Sequence, residues 1–253
     1  MPDTILTFAE NAVEPRVRGF LHTPETLNGS GLVLTHGAGS NANAPLLVAL
    51  AETFCAAGFT VLRCDLPYRQ LRSWGPPGPG DAARDRAGLK NAVAALQKIV
   101  SHPKDSDFQK NADAPPNAVF VGREKRIFLG GHSYGGRQAS MLCAELSKAA
   151  FSKDQSDLVA GLLLLSYPLH PPRKPEQQRT QHLPDLRTPT LFVHGTRDPF
   201  GSIAEMEQAL KMIPAKTQLM PIEGAGHDLG FKGKAKKEDL LGEVRAEFEK
   251  LFL

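Results

Sequence analysis

The segment that most constrains the fold of this chain is a short apolar run that ends in a glycine-flanked serine. Residues 126–130 can form a strand, and they lead directly into Gly131-His132-Ser133-Tyr134-Gly135, after which a helix-compatible segment begins. A strand, a tight turn with an exposed serine and an immediate helix together form a nucleophile elbow. The glycines on either side of Ser133 are required there, because a Cβ would collide with the adjoining strand or helix. The alternative is a glycine-rich turn whose serine has no function.

Apolar segments of strand length alternate with segments of helical spacing, which is typical of a mostly parallel sheet with helices on both faces. The first two strands are separated by only a few residues and predict an antiparallel hairpin. The four leucines at 162–165 do not alternate with polar residues, as expected of a central strand that is covered on both faces. We predict an α/β fold with eight strands, at 4–9, 16–21, 31–36, 60–65, 126–130, 158–167, 190–194 and 217–222.

Helical spacing of apolar residues predicts helices around 47–54, 89–100 and 240–251, and Asp81 could cap the second of these. Residues 102–125 are rich in Pro, Asp, Asn and Lys and predict a surface-loop insertion. The proline-rich stretch 168–187 is too short to form a lid domain. At 253 residues, the chain is therefore expected to form one α/β domain, residues 1–253, without a large cap.

Composition argues against several function classes. The net charge of +3 is too small to indicate nucleic acid as the main partner. Three cysteines, Cys55, Cys64 and Cys143, are an odd number in a chain long enough to fold without disulfides, and no pair has metal-ligand spacing. The N-terminal residues lack a secretory signal, and no apolar run approaches the roughly 18–20 residues that span a bilayer. We expect a cytoplasmic protein with no membrane span, no metal and no cofactor. The oligomeric state cannot be read from these features.

A serine nucleophile needs a base, and the base needs an acid that orients it. Asp198 follows the seventh predicted strand, and His227 lies in a glycine-rich loop after the eighth. The carboxyl ends of parallel strands share one edge of the sheet, so both side chains are expected to meet Ser133 there. The sequence therefore predicts a triad of Ser133, His227 and Asp198, with Glu223 as the alternative acid and Asp228 facing elsewhere.

The third predicted strand leads into the small-residue loop His36-Gly37-Ala38-Gly39. Such a loop can offer a backbone N–H to a developing oxyanion, paired with the N–H of the residue after the nucleophile. We predict Ala38 and Tyr134 as these two donors; a plain strand-to-helix turn is the alternative. His36 is better placed to fix the loop by a hydrogen bond than to act as the base. His132 is expected to point away from the nucleophile.

These motifs together resemble those of the α/β-hydrolase superfamily, and the similarity extends over nearly the whole chain. The small domain without a cap is similar to the dienelactone-hydrolase-like and small-esterase branch. A closer likeness, to a little-characterised set of small hydrolase-like proteins, rests on Gly-His-Ser-Tyr-Gly-Gly-Arg at 131–137, Ser-Tyr-Pro-Leu-His-Pro at 166–171 and Asp-Leu-Pro-Tyr at 65–68. Dienelactone hydrolases use a cysteine nucleophile where this chain has Ser133. The resemblance therefore implies a serine esterase, and not dienelactone as the substrate.

Four side chains near the predicted site are candidates for substrate binding. Arg137 lies one turn into the elbow helix and could hold a substrate carboxylate bidentately; an ion pair with a neighbouring loop is the alternative. Tyr68, Arg69 and His170 lie near strand ends and could line the pocket or anchor loops. Trp74, the single tryptophan, could form an apolar rim or pack locally.

These residues predict a serine hydrolase that cleaves a carboxylic ester of a small-molecule acyl substrate through an acyl-enzyme on Ser133. The same triad could act on a thioester, amide or lactone, or transfer the acyl group to an acceptor other than water. A third reading is a scaffold that binds a partner without catalysis, because fold does not imply function. A covalent adduct at Ser133 would separate the enzyme from the scaffold.

Overall fold

A computed structural model describes residues 4–102, 125–149, 158–231 and 239–253. Most of the predicted insertion at 102–125 lies outside the described residues. The strands are β1 Thr4–Glu10, β2 Val17–Thr23, β3 Ser30–Thr35, β4 Thr60–Cys64, β5 Arg126–His132, β6 Gly161–Leu165, β7 Thr190–Gly195 and β8 Thr217–Ile222. They form one sheet in the order β1-β2-β4-β3-β5-β6-β7-β8. β2 is antiparallel to β1 and β4, and all other neighbours are parallel, which confirms the predicted eight-stranded, mostly parallel sheet.

The predicted strand boundaries differ from the observed ones at the two strands nearest the serine. β5 continues to His132, beyond the predicted end at residue 130. β6, Gly161–Leu165, is shorter than the predicted 158–167 at both ends. At its carboxyl end, Ser166 adopts φ 49° and thereby ends the extended backbone.

Six helices and one 3₁₀ turn connect the strands within the described residues: α1 Pro45–Ala56, α2 Pro67–Leu71, α3 Asp81–Ser101, α4 Tyr134–Ala149, α5 Ile203–Leu210, α6 Leu240–Phe252 and the 3₁₀ turn Leu183–Asp185. α5 begins at a capping box of Ser202 and Glu205. The prediction that Asp81 caps α3 is wrong. Asp81 is already the first helical residue, and its carboxylate accepts the Gly78 N–H at 2.6 Å. No helix in the described part of the chain is long and apolar enough to cross a membrane.

The core lies on both faces of the sheet, which explains the uninterrupted apolar strands. In β6, Leu162 and Leu164 pack with residues of α3, α4 and α5, whereas Leu163 and Leu165 pack with residues of α1 and α6. Each of these side chains is fully buried, and burying a leucine contributes about 1.5–3 kcal/mol. The helices therefore fix the central strands from both sides, and the loops at their carboxyl ends stand on a rigid base.

The three cysteines are buried and free of disulfides. Burial raises the pKa of Cys64 and of Cys143 to about 12. The reactive form of cysteine is the thiolate, so these two thiols are inert near neutral pH and serve as packing groups.

Candidate active site

Ser133 occupies a strained turn between β5 and α4. Its φ is 52°, a left-handed conformation that costs about 1–3 kcal/mol in a residue other than glycine. A Cβ on Gly131 would lie 2.7 Å from the Gly135 carbonyl carbon, and a Cβ on Gly135 would lie 2.5 Å from the His36 carbonyl oxygen. The Ser133 N–H donates to the Leu165 carbonyl at 2.8 Å and ties the turn to the end of β6. The glycines are thus needed for the steric reason that the sequence indicated.

The structure brings Ser133, His227 and Asp198 into a hydrogen-bonded series. Ser133 Oγ lies 2.8 Å from His227 Nε2, and His227 Nδ1 lies 2.8 Å from Asp198 Oδ2. The Asp198 side chain is fully buried, while that of His227 is 23% exposed. An ionised carboxylate only accepts hydrogen bonds, so Asp198 selects the tautomer in which Nδ1 carries the proton. Nε2 is then free to accept the proton of the Ser133 hydroxyl.

Neighbouring residues hold both partners of the serine in place. Asp198 Oδ1 accepts the Phe200 N–H at 2.9 Å, and the Phe200 ring lies 4.2 Å from the His227 ring, centroid to centroid. His194 donates from Nε2 to the Gly201 carbonyl at 2.8 Å. Burial lowers the pKa of His194, so its ring is neutral and does not form an ion pair with Asp198. The Asp198 carboxylate therefore interacts chiefly with His227.

His132 lies closer to the predicted base than the sequence indicated. Its Nε2 is 2.7 Å from the His227 carbonyl oxygen, and the two rings are 5.1 Å apart. The sequence predicted that His132 points away from the nucleophile, and its ring contacts the backbone of His227 and not the serine hydroxyl. Glu223 is exposed, and Asp228 Oδ1 accepts the Gly230 N–H at 3.0 Å.

Side chains hold the loop after β3 by its carbonyl groups. His36 is fully buried; its Nδ1 donates to the Gly37 carbonyl at 2.9 Å, and its Nε2 accepts the Leu66 N–H at 3.1 Å. The Tyr68 hydroxyl donates to the Ala38 carbonyl at 2.8 Å, and Arg69 Nη2 donates to the same carbonyl at 3.1 Å. His36 thus fixes this loop as its position suggested.

These contacts determine where the N–H groups of the loop point. In a trans peptide the C=O and N–H directions are opposite. With the Gly37 carbonyl directed at His36, the Ala38 N–H faces away from that ring. A Cβ on Gly37 would lie 3.4 Å from the Ser133 Cβ, so the loop passes within van der Waals distance of the serine. Within the described residues, no backbone carbonyl accepts the N–H of Ala38 or of Tyr134.

Asp85 of α3 is a site residue that the sequence did not reveal. It is fully buried, and it accepts the Tyr68 N–H at 3.0 Å and the Tyr134 hydroxyl at 2.8 Å. Burial raises its pKa, and the two hydrogen bonds act against that increase. The Asp85 carboxylate therefore joins Tyr134, at the start of α4, to Tyr68, which holds the loop after β3.

Of the four residues proposed for substrate binding, three have their polar groups engaged elsewhere. Tyr68 and Arg69 hold the loop after β3, and Arg69 also donates to the Ser40 and Gly75 carbonyls. His170 is buried; its Nδ1 lies 2.8 Å from the Pro171 carbonyl and its N–H donates to the Phe200 carbonyl. We do not assign these three to the substrate. Arg137 differs, because its side chain donates to no backbone carbonyl in the described part of the chain: its Nε is buried without a partner, and its guanidinium contacts the neutral Tyr167 hydroxyl.

Trp74 and a groove beside α1 are two further surfaces that a ligand could reach. Trp74 is 83% exposed, so local packing is excluded for its ring. A groove of about 700 Å³ lies between α1, α6 and residues 229–231, but none of the three hydrogen-bonded side chains lines it. Among the described residues, no group of three or more His, Cys, Asp or Glu side chains could hold a metal ion.

Comparison with known proteins gives one family and several similar folds. Residues 28–250 match the family described as the alpha/beta hydrolase domain. A dienelactone hydrolase from Anabaena variabilis is 20% identical, with a TM-score of 0.66, and the match covers 100% of this chain and 98% of that one. XC6422 from Xanthomonas campestris, described as an α/β serine hydrolase without lid, is 12% identical, with a TM-score of 0.61 and coverage of 100% and 96%.

A local match to a much longer protein adds little. The polyketide synthase ThaQ of Burkholderia thailandensis is 52% identical over 48 residues, which are 19% of this chain and 2% of the synthase. This chain therefore corresponds to only a small part of that relative's length.

Proposed function

This chain belongs to the α/β-hydrolase domain family, and we propose that it is a serine hydrolase that cleaves a carboxylic ester through Ser133, His227 and Asp198. The observation that carries the proposal is the pair of 2.8 Å contacts that link the serine hydroxyl to the histidine and the histidine to the buried aspartate. An activated serine requires a base within hydrogen-bond distance and a third group that orients the base. These three side chains meet that requirement.

In the proposed reaction, His227 Nε2 takes the proton of the Ser133 hydroxyl as Oγ attacks the ester carbonyl. The protonated imidazole then donates this proton to the departing alkoxide. The alcohol leaves, and the acyl group remains bound to Ser133. A water molecule, deprotonated by the same Nε2, attacks the acyl-enzyme. The imidazolium then returns the proton to Ser133 Oγ as the acyl–oxygen bond breaks and the acid leaves. Asp198 keeps its charge throughout and stabilises the imidazolium through Nδ1–H.

The oxyanion that forms during both steps needs donors that are in place beforehand. We assign this role to the N–H groups of Ala38 and Tyr134. The support is that no backbone carbonyl in the described chain accepts either N–H, and that hydrogen bonds from His36 and Tyr68 fix the carbonyls of the Ala38 loop. In comparable sites one such donor contributes about 3–4 kcal/mol to transition-state stabilisation.

The test is covalent labelling with a fluorophosphonate, read by intact mass, together with hydrolysis of 4-nitrophenyl butyrate. We expect one adduct on the wild-type chain and none on Ser133→Ala or His227→Ala, with kcat/KM lower by at least about a thousandfold in each variant. Ser147→Ala is the matched control, because Ser147 lies on the same helix and its hydroxyl donates to the Cys143 carbonyl at 2.9 Å. It should label as the wild type does.

A wild-type chain that forms no adduct would refute the proposal and favour the partner-binding scaffold. An adduct that persists in Ser133→Ala would place the reactive group elsewhere. Normal labelling with no turnover of open-chain oxygen esters, but with turnover of thioesters or lactones, would support the triad and show that a thioester or a cyclic ester is the bond cleaved.

A further inference from the structure

Arg137 occupies a position from which its side chain can approach the substrate of Ser133. It lies one helical turn after the serine on α4, and its N–H donates to the Ser133 carbonyl at 3.0 Å. Residues four apart share a helix face, and helical side chains lean toward the N-terminus. Arg137 therefore lies on the helix face that begins at Ser133, and its guanidinium lies beside the Tyr167 hydroxyl in the loop after β6.

The guanidinium of Arg137 lacks a counterion. Its Nε is buried and has no hydrogen-bond partner. The Tyr167 hydroxyl, which hydrogen-bonds the guanidinium, is a neutral group and balances no charge. No carboxylate among the described residues lies within 4 Å of it. By contrast, Arg86 on α3, the neighbouring helix, is paired with Glu145 at 2.8 Å. The structural ion pair that the sequence left open for Arg137 is therefore not observed in the described residues.

Arg179 adds a second positive charge next to Arg137, and the neighbouring His182 adds none because its ring is neutral near pH 7. The loop after β6 crosses α4 here, where His182 Nε2 contacts Ser140 Oγ at 2.8 Å and the Tyr167 hydroxyl donates to the Arg179 carbonyl at 2.9 Å. Burial, together with the charges of Arg137 and Arg86, lowers the pKa of His182 to about 4. Burial and the charge of Arg137 also lower the pKa of Arg179.

The corner is also connected to the nucleophile. The Ser133 N–H donates to the Leu165 carbonyl, and Tyr167 follows only two residues later. The side chain of Arg179 donates to the Pro168 carbonyl at 3.3 Å and has no carboxylate within 4 Å among the described residues. Two half-buried guanidinium groups without anions are costly, and a bound anion would remove that cost.

We propose that Arg137, with Arg179 behind it, binds a carboxylate or phosphate group of the substrate, so that the ester cleaved at Ser133 is an anionic one. The inference rests on the proposed function for the position of the ester bond. A planar guanidinium binds either oxyanion through two parallel hydrogen bonds. Because the binding group lies one turn from the nucleophile, it would select among substrates and leave the chemical steps unchanged.

The test compares matched neutral and anionic esters. Mono(4-nitrophenyl) adipate and 4-nitrophenyl hexanoate differ only at the far end of the acyl chain. 4-Acetoxyphenyl phosphate and 4-methylphenyl acetate place the difference on the leaving group. We expect wild-type kcat/KM to favour the anionic ester of at least one pair by about tenfold or more. The pair that shows the preference identifies the side of the ester that carries the anion.

Arg137→Gln should lower kcat/KM for the preferred anionic ester by roughly ten- to a hundredfold, the usual effect of losing a hydrogen bond to a charged group. The matched neutral ester should change by less than about twofold. Arg137→Lys keeps the charge and loses the planar arrangement of donors, so its kcat/KM for the anionic ester should lie between those of the wild type and Arg137→Gln. Arg84→Gln is the control, because Arg84 is an exposed arginine of α3 that is paired with Glu14.

The proposal fails if the wild type favours neither anionic ester, or if Arg137→Gln lowers both members of a pair equally. A second measurement tests the anion site independently of the proposed function. The Tm is measured in adipate or inorganic phosphate and compared with the Tm in sodium chloride of equal ionic strength. A rise in Tm of about 3 °C near tenfold saturation that is lost in Arg137→Gln would establish the anion site even if Ser133 does not react. A labelled Ser133 with neither preference nor stabilisation would retain the hydrolase and overturn the anion site.

Discussion

Replacing Gly135 by alanine should separate the placement of the nucleophile helix from the stability of the chain. The added Cβ would lie 2.5 Å from the His36 carbonyl oxygen and 2.7 Å from Thr35 Cγ2. A carbon and an oxygen without a bond need about 3.2 Å, so α4 must move away from β3 by roughly 0.7 Å. Overpacking of this kind costs about 1–3 kcal/mol, and the higher helix propensity of alanine returns about 1 kcal/mol.

The effect on reactivity, about 2.7 kcal/mol for a hundredfold change in rate, should exceed the effect on stability. A displacement approaching 1 Å of a reacting group can cost about a hundredfold in rate, and the displacement moves Ser133 and the Tyr134 N–H together. We therefore expect the second-order rate of fluorophosphonate labelling to fall about a hundredfold, while the free energy of unfolding in urea falls by no more than about 2 kcal/mol.

Gly39→Ala is the matched control for this experiment. Gly39 lies in the loop after β3, and a Cβ there would meet no atom within 4 Å. It should label and unfold like the wild type. The reasoning would be refuted if Gly135→Ala labelled at the wild-type rate, because α4 could then not be seated against the His36 carbonyl as described.

Two further changes test the loop after β3 and the pH dependence of stability. Tyr68→Phe removes the hydroxyl that holds the Ala38 carbonyl, which Arg69 still contacts, so we expect a loss of about 1 kcal/mol in urea unfolding and slower labelling of Ser133. His22→Gln tests pH dependence. Burial, followed by the charge of Arg63, lowers the pKa of His22 from 6.5 to about 4, so the unfolded chain takes up the proton first and stability is lost as pH falls through this window. Between pH 7 and pH 5, His22 lowers the free energy of unfolding by about 2 kcal/mol. The free energy of unfolding of His22→Gln should therefore fall by about 2 kcal/mol less than that of the wild type over this range.

The positions of Ser133, Asp198 and His227 at one edge of the sheet followed from the sequence because each depends on local signals and one rule. Each of the three follows a recognisable strand, and parallel strands end at the same edge. The eight-stranded sheet was predictable for the same reason, since covered strands are continuously apolar. The ends of the strands were harder to predict. Ser166 adopts a left-handed backbone conformation that ends β6, and nothing about a serine at this position indicates that conformation.

Asp85 and Phe200 were not predictable from the same signals. Asp85 lies near the start of a long helix and is separated in sequence from Tyr134 by 49 residues, so nothing local indicates that its carboxylate joins two loops of the site. Phe200 follows a proline in a loop, and only the return of the β8 loop brings His227 against its ring. Such contacts depend on how α3 and the loops pack, which residue patterns along the chain do not encode.

The residues predicted to bind the substrate show most clearly where the sequence stops being informative. Tyr68, Arg69, His170 and Arg137 are all polar residues near strand ends or the elbow, and residue type alone gives them equal standing. What distinguishes them is the use of their hydrogen-bond donors: the first three donate to backbone carbonyls of nearby loops, and the side chain of Arg137 donates to none in the described chain. A buried carbonyl needs a donor whatever the substrate is, so donors engaged in this way explain the shape of the loops. A donor that no carbonyl uses is the one from which substrate preference can be inferred.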